Sequence, residues 1–203
     1  MRDSKNYTML SAGKARTITS TTDATPIVVT LATHGYSTGD VVTIMAHTTN
    51  TNANGTWVVT KVNANSFSLD GSTATGGGAG GAAGTLALAS KVIDVQDFKH
   101  AVLSIDTDGG GDAAFTWKIA GAISEAIPDF ADAQSTTNRY DYIDVIDLED
   151  NASIDGDTGF VVAGADDHRL LQANVDGLKW LTIVCTAGTE GELTVEARLF
   201  TDD

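Results

Sequence analysis

Residues 33–71 alternate short apolar runs with turn formers so regularly that antiparallel β-structure is the natural way to fold them. THGYSTGDVVTI opens the stretch, the polar run TTNTNANG follows, and TWVVTKVNANSFSLDG closes it. Gly39 and Asp40 launch Val41–Ile44, the run from Asn52 to Gly55 reverses the chain, and Thr56–Val62 and Ser66–Leu69 read as further strands. Phe67 and Leu69 face one way and Ser66 and Ser68 the other, the period of two of a half-buried strand. The prediction is a β-meander.

The same alphabet continues on both sides. From Ala15 to Leu31 the chain is rich in Thr, Val and Ile, and Pro26 marks a strand start, where proline costs no ladder bond. The Gly- and Ala-rich run 71–84 has little to bury and reads as a connector, or as a hairpin tip returning through Thr85–Leu88. It lacks the lysine and following helix of a P-loop. Beyond Ser90 the strands lengthen: Val92–Val95, Ala101–Ile105, and Phe115–Ile119 with Phe115, Trp117 and Ile119 on one face. An excursion, Ser124–Asn138, precedes a strand over Tyr140–Ile146, and Gly159–Val162, Arg169–Leu171, Leu178–Thr186 and Glu192–Phe200 follow. No stretch carries a helical period. The expected fold class is all-β: an N-terminal arm or edge strand (1–16), a small β-barrel or meander module (17–89, with the connector 71–84), and an acidic, jelly-roll-like β-sandwich (90–203).

Charge divides the chain in the same place. Residues 1–90 hold five Lys/Arg against four Asp, whereas the remainder holds seven basic against 23 acidic side chains. An acidic half is repelled by a phosphate backbone, so nucleic acid is not an expected partner. No apolar run is long enough for a membrane helix, and the opening MRDSKNYTMLSAG has no apolar signal core, so a soluble chain made in a reducing cytoplasm is expected. Cys185 is the single cysteine, which excludes a disulfide within the chain and a cysteine zinc cluster.

The groups that invite a chemical reading are few. His34, Ser37 and Asp40 lie within one turn, where glycine geometry and an Asp–backbone bond explain them better than a triad, which is assembled from distant loops. Asp106, Asp108 and Asp112 resemble positions 1, 3 and 7 of a calcium loop, but Trp117 stands where the bidentate Glu is required. Asp155, Asp157, Asp166 and Asp167 form further acidic turns. His47, His100 and His168 have no partner at metal-ligand spacing, and Cys185, Trp57, Trp117 and Trp180 read as strand core. Neither an enzyme nor a cofactor is indicated.

The pattern HGYSTGDVVTI…NGTWVVTKVNANSFSLDGS resembles a small β-module that recurs in structural proteins of tailed bacteriophages. PDFADAQSTTNRYDYIDVIDL and NVDGLKWLTIVCTAGTEGELTVEARLF resemble β-sandwich domains of phage virion proteins. The resemblance implies a non-catalytic virion component, foremost a capsid decoration or cement protein that self-associates as a trimer and contacts the major capsid protein or other virion subunits. In that reading the near-neutral module docks, helped by a basic arm of Arg2, Lys5, Lys14 and Arg16, and the acidic sandwich faces solvent. The alternative is a tail-fibre or baseplate module binding a host-surface glycan through Phe130, Tyr140 and Tyr142.

Overall fold

β-Branched and aromatic residues, which suit a pleated and half-buried surface, supply the strands, and Gly, Asn and Asp supply the reversals. The structure, a computed structural model, describes residues 4–10, 18–45, 47–74, 89–108, 114–163, 167–188 and 192–201. The first part of the chain forms β1 (Ser4–Leu10), β2 (Ser20–Thr21), β3 (Val28–Thr30), β4 (Val41–Ile44), β5 (Gly55–Asn63) and β6 (Ser66–Leu69). The second part forms β7 (Ala89–Asp94), β8 (His100–Asp108), β9 (Ala114–Ala122), β10 (Asp141–Tyr142) and β11 (Val145–Asp147). It ends with β12 (Ser153–Ile154), β13 (Phe160–Ala163), β14 (His168–Asn174), β15 (Trp180–Gly188) and β16 (Glu192–Phe200). The protein is all-β, with one 3-10 turn, Thr51–Ala53, and no α-helix among the described residues.

Two antiparallel sheets form a sandwich. One has six strands in the order β1-β16-β8-β14-β11-β12; the other has ten, in the order β10-β9-β15-β7-β4-β5-β6-β3-β2, with β13 on β9. From β7 to β9, and again from β13 to β16, successive strands alternate between sheets, so their inward faces meet in one core. That core takes Ile93, Trp117, Ile119, Leu181 and Ile183 from the larger sheet and Met9, Leu103, Ile105, Leu171, Val195 and Leu199 from the smaller. Each such buried side chain is worth about 1.5–3 kcal/mol relative to exposure.

The meander has a core of its own, built on Ile18, Ile27, Val29, Val42, Ile44, Val59, Phe67 and Leu69. It is joined to the sandwich by hydrogen bonds along a shared sheet: β4 pairs with β5 on one side and with β7 on the other. β5 is the corner strand, its first residues pairing with β4 and its later ones with β6. Gly39, at φ +92°, makes the turn into β4 in a conformation that an L side chain rarely adopts.

One feature departs from the expectation and two sharpen it. Tyr140–Ile146 is not one strand: Asp141–Tyr142 pairs with β9, and Val145–Asp147 pairs with β14 in the opposite sheet. The corner between them packs so closely on Gly156 that a Cβ there would lie 2.7 Å from the carbonyl of Tyr142 and the backbone of Ile143. The run 52–55 does help reverse the chain between β4 and β5, with the 3-10 turn Thr51–Ala53 inside the reversal. A longer loop makes the reversal, locked where the Asn54 amide accepts from the His47 N–H (2.8 Å) and donates to the His47 carbonyl (3.0 Å). Finally, of the two expected forms of the N-terminal segment, Ser4–Leu10 takes that of an edge strand of the sandwich, paired with β16 and burying Met9. The Thr85–Leu88 return strand and most of the connector lie outside the described residues.

Candidate functional site

The turn bearing His34, Ser37 and Asp40 abuts a cavity of about 180 Å³ lined by Thr8, His34, Gly35, Tyr36, Asp40 and Lys91. Strand β1, the meander and β7 converge there. His34 is buried, with its ring 5.4 Å from Tyr36 and 5.1 Å from Phe67. Its Nδ1 accepts from the Tyr36 N–H at 3.0 Å, which assigns the ring proton to Nε2, facing the Asn63 carbonyl at 2.8 Å. Both ring nitrogens therefore serve backbone groups rather than Ser37. Asp40 accepts from the Ser37 N–H (2.9 Å) and pairs with Lys91 Nζ (2.7 Å), tying the meander to β7. The arrangement cross-links segments.

His47 plays a similar part that its sequence position does not reveal. Its Nδ1 accepts from the Asn50 N–H at 3.1 Å and its Nε2 faces Thr21 Oγ1 at 3.4 Å, joining the β4–β5 loop to β2. Burial lowers its pKa from the ordinary 6.5, because a charged imidazole would be desolvated and would lose the Nδ1 acceptor.

Of the calcium-loop candidates, Asp106 already has partners, His168 Nδ1 at one carboxylate oxygen and Ser104 Oγ at the other. Asp108 ends β8 with its side chain outside the described set, and Asp112 lies outside the described residues, as do Asp166 and the side chain of Cys185. Asp155 caps its own turn by accepting from the Thr158 N–H at 3.0 Å. Among the described residues, no three His, Cys, Asp or Glu side chains are grouped to hold a metal ion. A half-buried ion pair that the sequence did not single out joins the buried Asp147 to Arg169 at 2.9 Å on the inner face of the six-stranded sheet, with Asp167 also 3.4 Å from the guanidinium. The hydrogen bond that Arg169 donates to Asp147 is the main cause that raises the Arg169 pKa.

The aromatic candidates form a ladder, with Phe130 to Tyr140 centroids 5.1 Å apart and Tyr140 to Tyr142 5.8 Å apart. Phe130 is not an exposed stacking ring. It is fully buried against Val92, Ala120, Ala122 and Val184 on the outer face of the larger sheet. The excursion that carries it is an internal plug, because Phe130 N–H donates to Thr56 Oγ1 of the meander (2.9 Å) and the Asn138 amide clamps the backbone of Asp129 (2.8 and 2.9 Å). Tyr140 and Tyr142 are half-buried. Burial is the main cause that raises the pKa of the Tyr140 phenol, whose hydroxyl donates to the Asp132 carbonyl at 2.8 Å. Tyr140 still contributes one wall to a groove of about 360 Å³ with Ile123, Ile143, Leu178, Arg139 and Asp141.

Of the basic arm, Lys5 lies on β1 with Nζ 4.8 Å from the centre of the Tyr7 ring, while Arg2, Lys14 and Arg16 lie outside the described residues. Trp117 is buried, and Trp57 and Trp180 are half-buried, donating to the carbonyls of Ala53 (3.0 Å) and Ser124 (2.9 Å).

No protein-family model matches the sequence, and no curated protein matches it. Among solved structures, the chain is similar to the SPBc2 prophage-derived protein YomS, at 9% identity over 99% of this chain and 96% of that one, with a TM-score of 0.44.

Proposed function

We propose that this chain is a non-enzymatic structural protein of a tailed-phage virion, and specifically a capsid decoration protein that stabilises the head. The observation that carries the reading is the β4–β7 ladder, reinforced by the Asp40–Lys91 pair and the Phe130 plug, which welds the phage-like meander to the sandwich. A cement protein must transmit load between neighbouring subunits, and continuous hydrogen-bonded sheet serves that better than two domains on a flexible linker. The near-neutral meander is the docking part and the acidic sandwich the solvent-facing part, since like charge keeps decorated particles apart. Purified protein added to undecorated heads is expected to bind at saturable occupancy and to raise the temperature at which the heads rupture. No binding would overturn the proposal.

The basic arm is tested by side-chain substitution, because deleting residues 1–16 would remove β1 and the buried Met9. Replacing Arg2, Lys5, Lys14 and Arg16 with Gln is expected to weaken binding most at low salt, and unchanged occupancy would remove the arm from the docking surface.

A second reading draws on the Tyr140 groove. An aromatic wall flanked by Arg139 and Asp141 suits the apolar face and hydroxyls of a hexose, as a tail-fibre module binding a surface glycan would require. A glycan array with hits that vanish in Tyr140→Ala would favour it over the capsid role, and an array with no hits would remove it.

A further inference from the structure

The register of the six-stranded sheet determines which side chains its outer face presents, because residues paired across an antiparallel ladder point the same way. One row across the strands reads Asn6, Arg198, Val102, Gln172, Ile146 and Ser153. The adjacent row reads Thr8, Glu196, Ser104 and Leu170, and extends to Leu148, whose N–H donates to the Leu170 carbonyl at 2.9 Å. Ile146, Leu148 and Leu170 are 39%, 41% and 40% exposed and adjoin one another. The residues between them in each strand point the other way, into the sandwich core. Asn6, Thr8, Glu196 and Arg198 on this face are exposed as well.

Its charge is unlike that of the rest of the molecule. The chain carries a net −15, yet these two rows hold one Arg and one Glu, and the next described row adds Asp106 with His168 beside it. Two copies approaching through acidic surfaces of the sandwich repel, whereas within these two rows the opposite charges are equal in number.

We propose that this face is an isologous contact with a second copy of the chain. A two-fold axis lying between the sheets, perpendicular to the strands and midway between the two rows, sets each row of one copy over the other row of its mate. Arg198 then meets Glu196 of the partner subunit, Ile146 meets the partner's Leu148, and Asn6 meets the partner's Thr8. The apolar cluster is covered in the same operation that satisfies the charges. The six strands together hold 37 residues, and at about 3.4 Å per residue and about 4.8 Å per strand this face measures roughly 600 Å². That is about three quarters of the roughly 800 Å² per partner of a standard specific interface, the size of a weak, reversible dimer. The pairing is independent of where the chain sits in a particle, and its failure would leave the head-binding assay untouched.

Sedimentation of the full chain between about 1 and 200 µM is expected to show a mass rising from 21.0 kDa to twice that value. Ile146→Lys with Leu148→Lys is expected to abolish the rise without lowering the melting temperature, because both side chains are already substantially exposed. Glu196→Arg alone or Arg198→Glu alone sets like charges together at two symmetric places and is expected to weaken dimerisation about tenfold. The double exchange Glu196→Arg with Arg198→Glu is expected to restore it. A monomer at 200 µM, a trimer mass, or a dimer that survives the lysine pair would each overturn the proposal, as would a failure of the double exchange to rescue.

Discussion

Replacing Phe130 with alanine tests the idea that the 124–138 excursion is a structural plug. The ring is fully buried on Val92, Ala120, Ala122 and Val184, and its backbone N–H is tied to Thr56 in the meander. Returning a buried Phe side chain to water costs about 2–3 kcal/mol. A residual void of about 80 Å³ adds about 2 kcal/mol at about 24 cal/mol per Å³. The expected loss is therefore about 4 kcal/mol. For a domain of this size, each 1 kcal/mol moves the melting temperature by about 2–4 °C, so a fall of about 8–16 °C is expected. Urea titration and calorimetry measure it, with Ile123→Ala as a control: that side chain is 73% exposed, and its loss should stay within about 0.5 kcal/mol. A loss below about 1 kcal/mol for Phe130→Ala, with an unchanged denaturant slope, would refute the plug and return the ring to the candidate ligand-binding groups.

Three further outcomes follow from individual contacts. Arg169→Ala leaves the buried Asp147 carboxylate without its cation and is expected to cost about 2–4 kcal/mol, reduced from the fully buried case because the guanidinium is partly exposed. Asp147→Ala, which leaves Arg169 beside Asp167, should cost less, and the reverse order in urea titrations would refute this view of the pair. The folded state binds a proton at His47 more weakly than the unfolded state. Stability should therefore hold above about pH 6.5, fall as the pH drops below it, and level off once the pH passes the folded pKa. His47→Gln should flatten that segment of the pH profile relative to the parent, and superimposable profiles would dismiss the effect. Gly156→Ala places a Cβ 2.7 Å from the backbone at Tyr142 and Ile143 and should cost about 2–3 kcal/mol in thermal unfolding; a neutral result would show that the corner can shift.

The sequence by itself determined the all-β class, because strand periodicity and turn chemistry are local properties. Val41–Ile44, Ser66–Leu69 and Glu192–Phe200 are all legible as strands, and in Ser66–Leu69 the period of two marks Phe67 and Leu69 as inward. It also showed that His34 and Asp40 sit in a turn, since a histidine and an aspartate beside glycines carry their backbone geometry with them. Only the tertiary structure decided which strands neighbour one another. Nothing local to Val41 or Lys91 states that β4 and β7 pair, and the split of Tyr140–Ile146 between sheets depends on Gly156, which lies 10 residues further on. The fate of Phe130 was hidden for the same reason. A ring in a polar, irregular segment reads as exposed until the segment is folded back over a sheet, and burial depends on long-range packing that periodicity does not encode. The outer face of the six-stranded sheet is the clearest case: its balanced charges and apolar cluster come from strands spread between Asn6 and Arg198, and only the register brings them into adjacent rows.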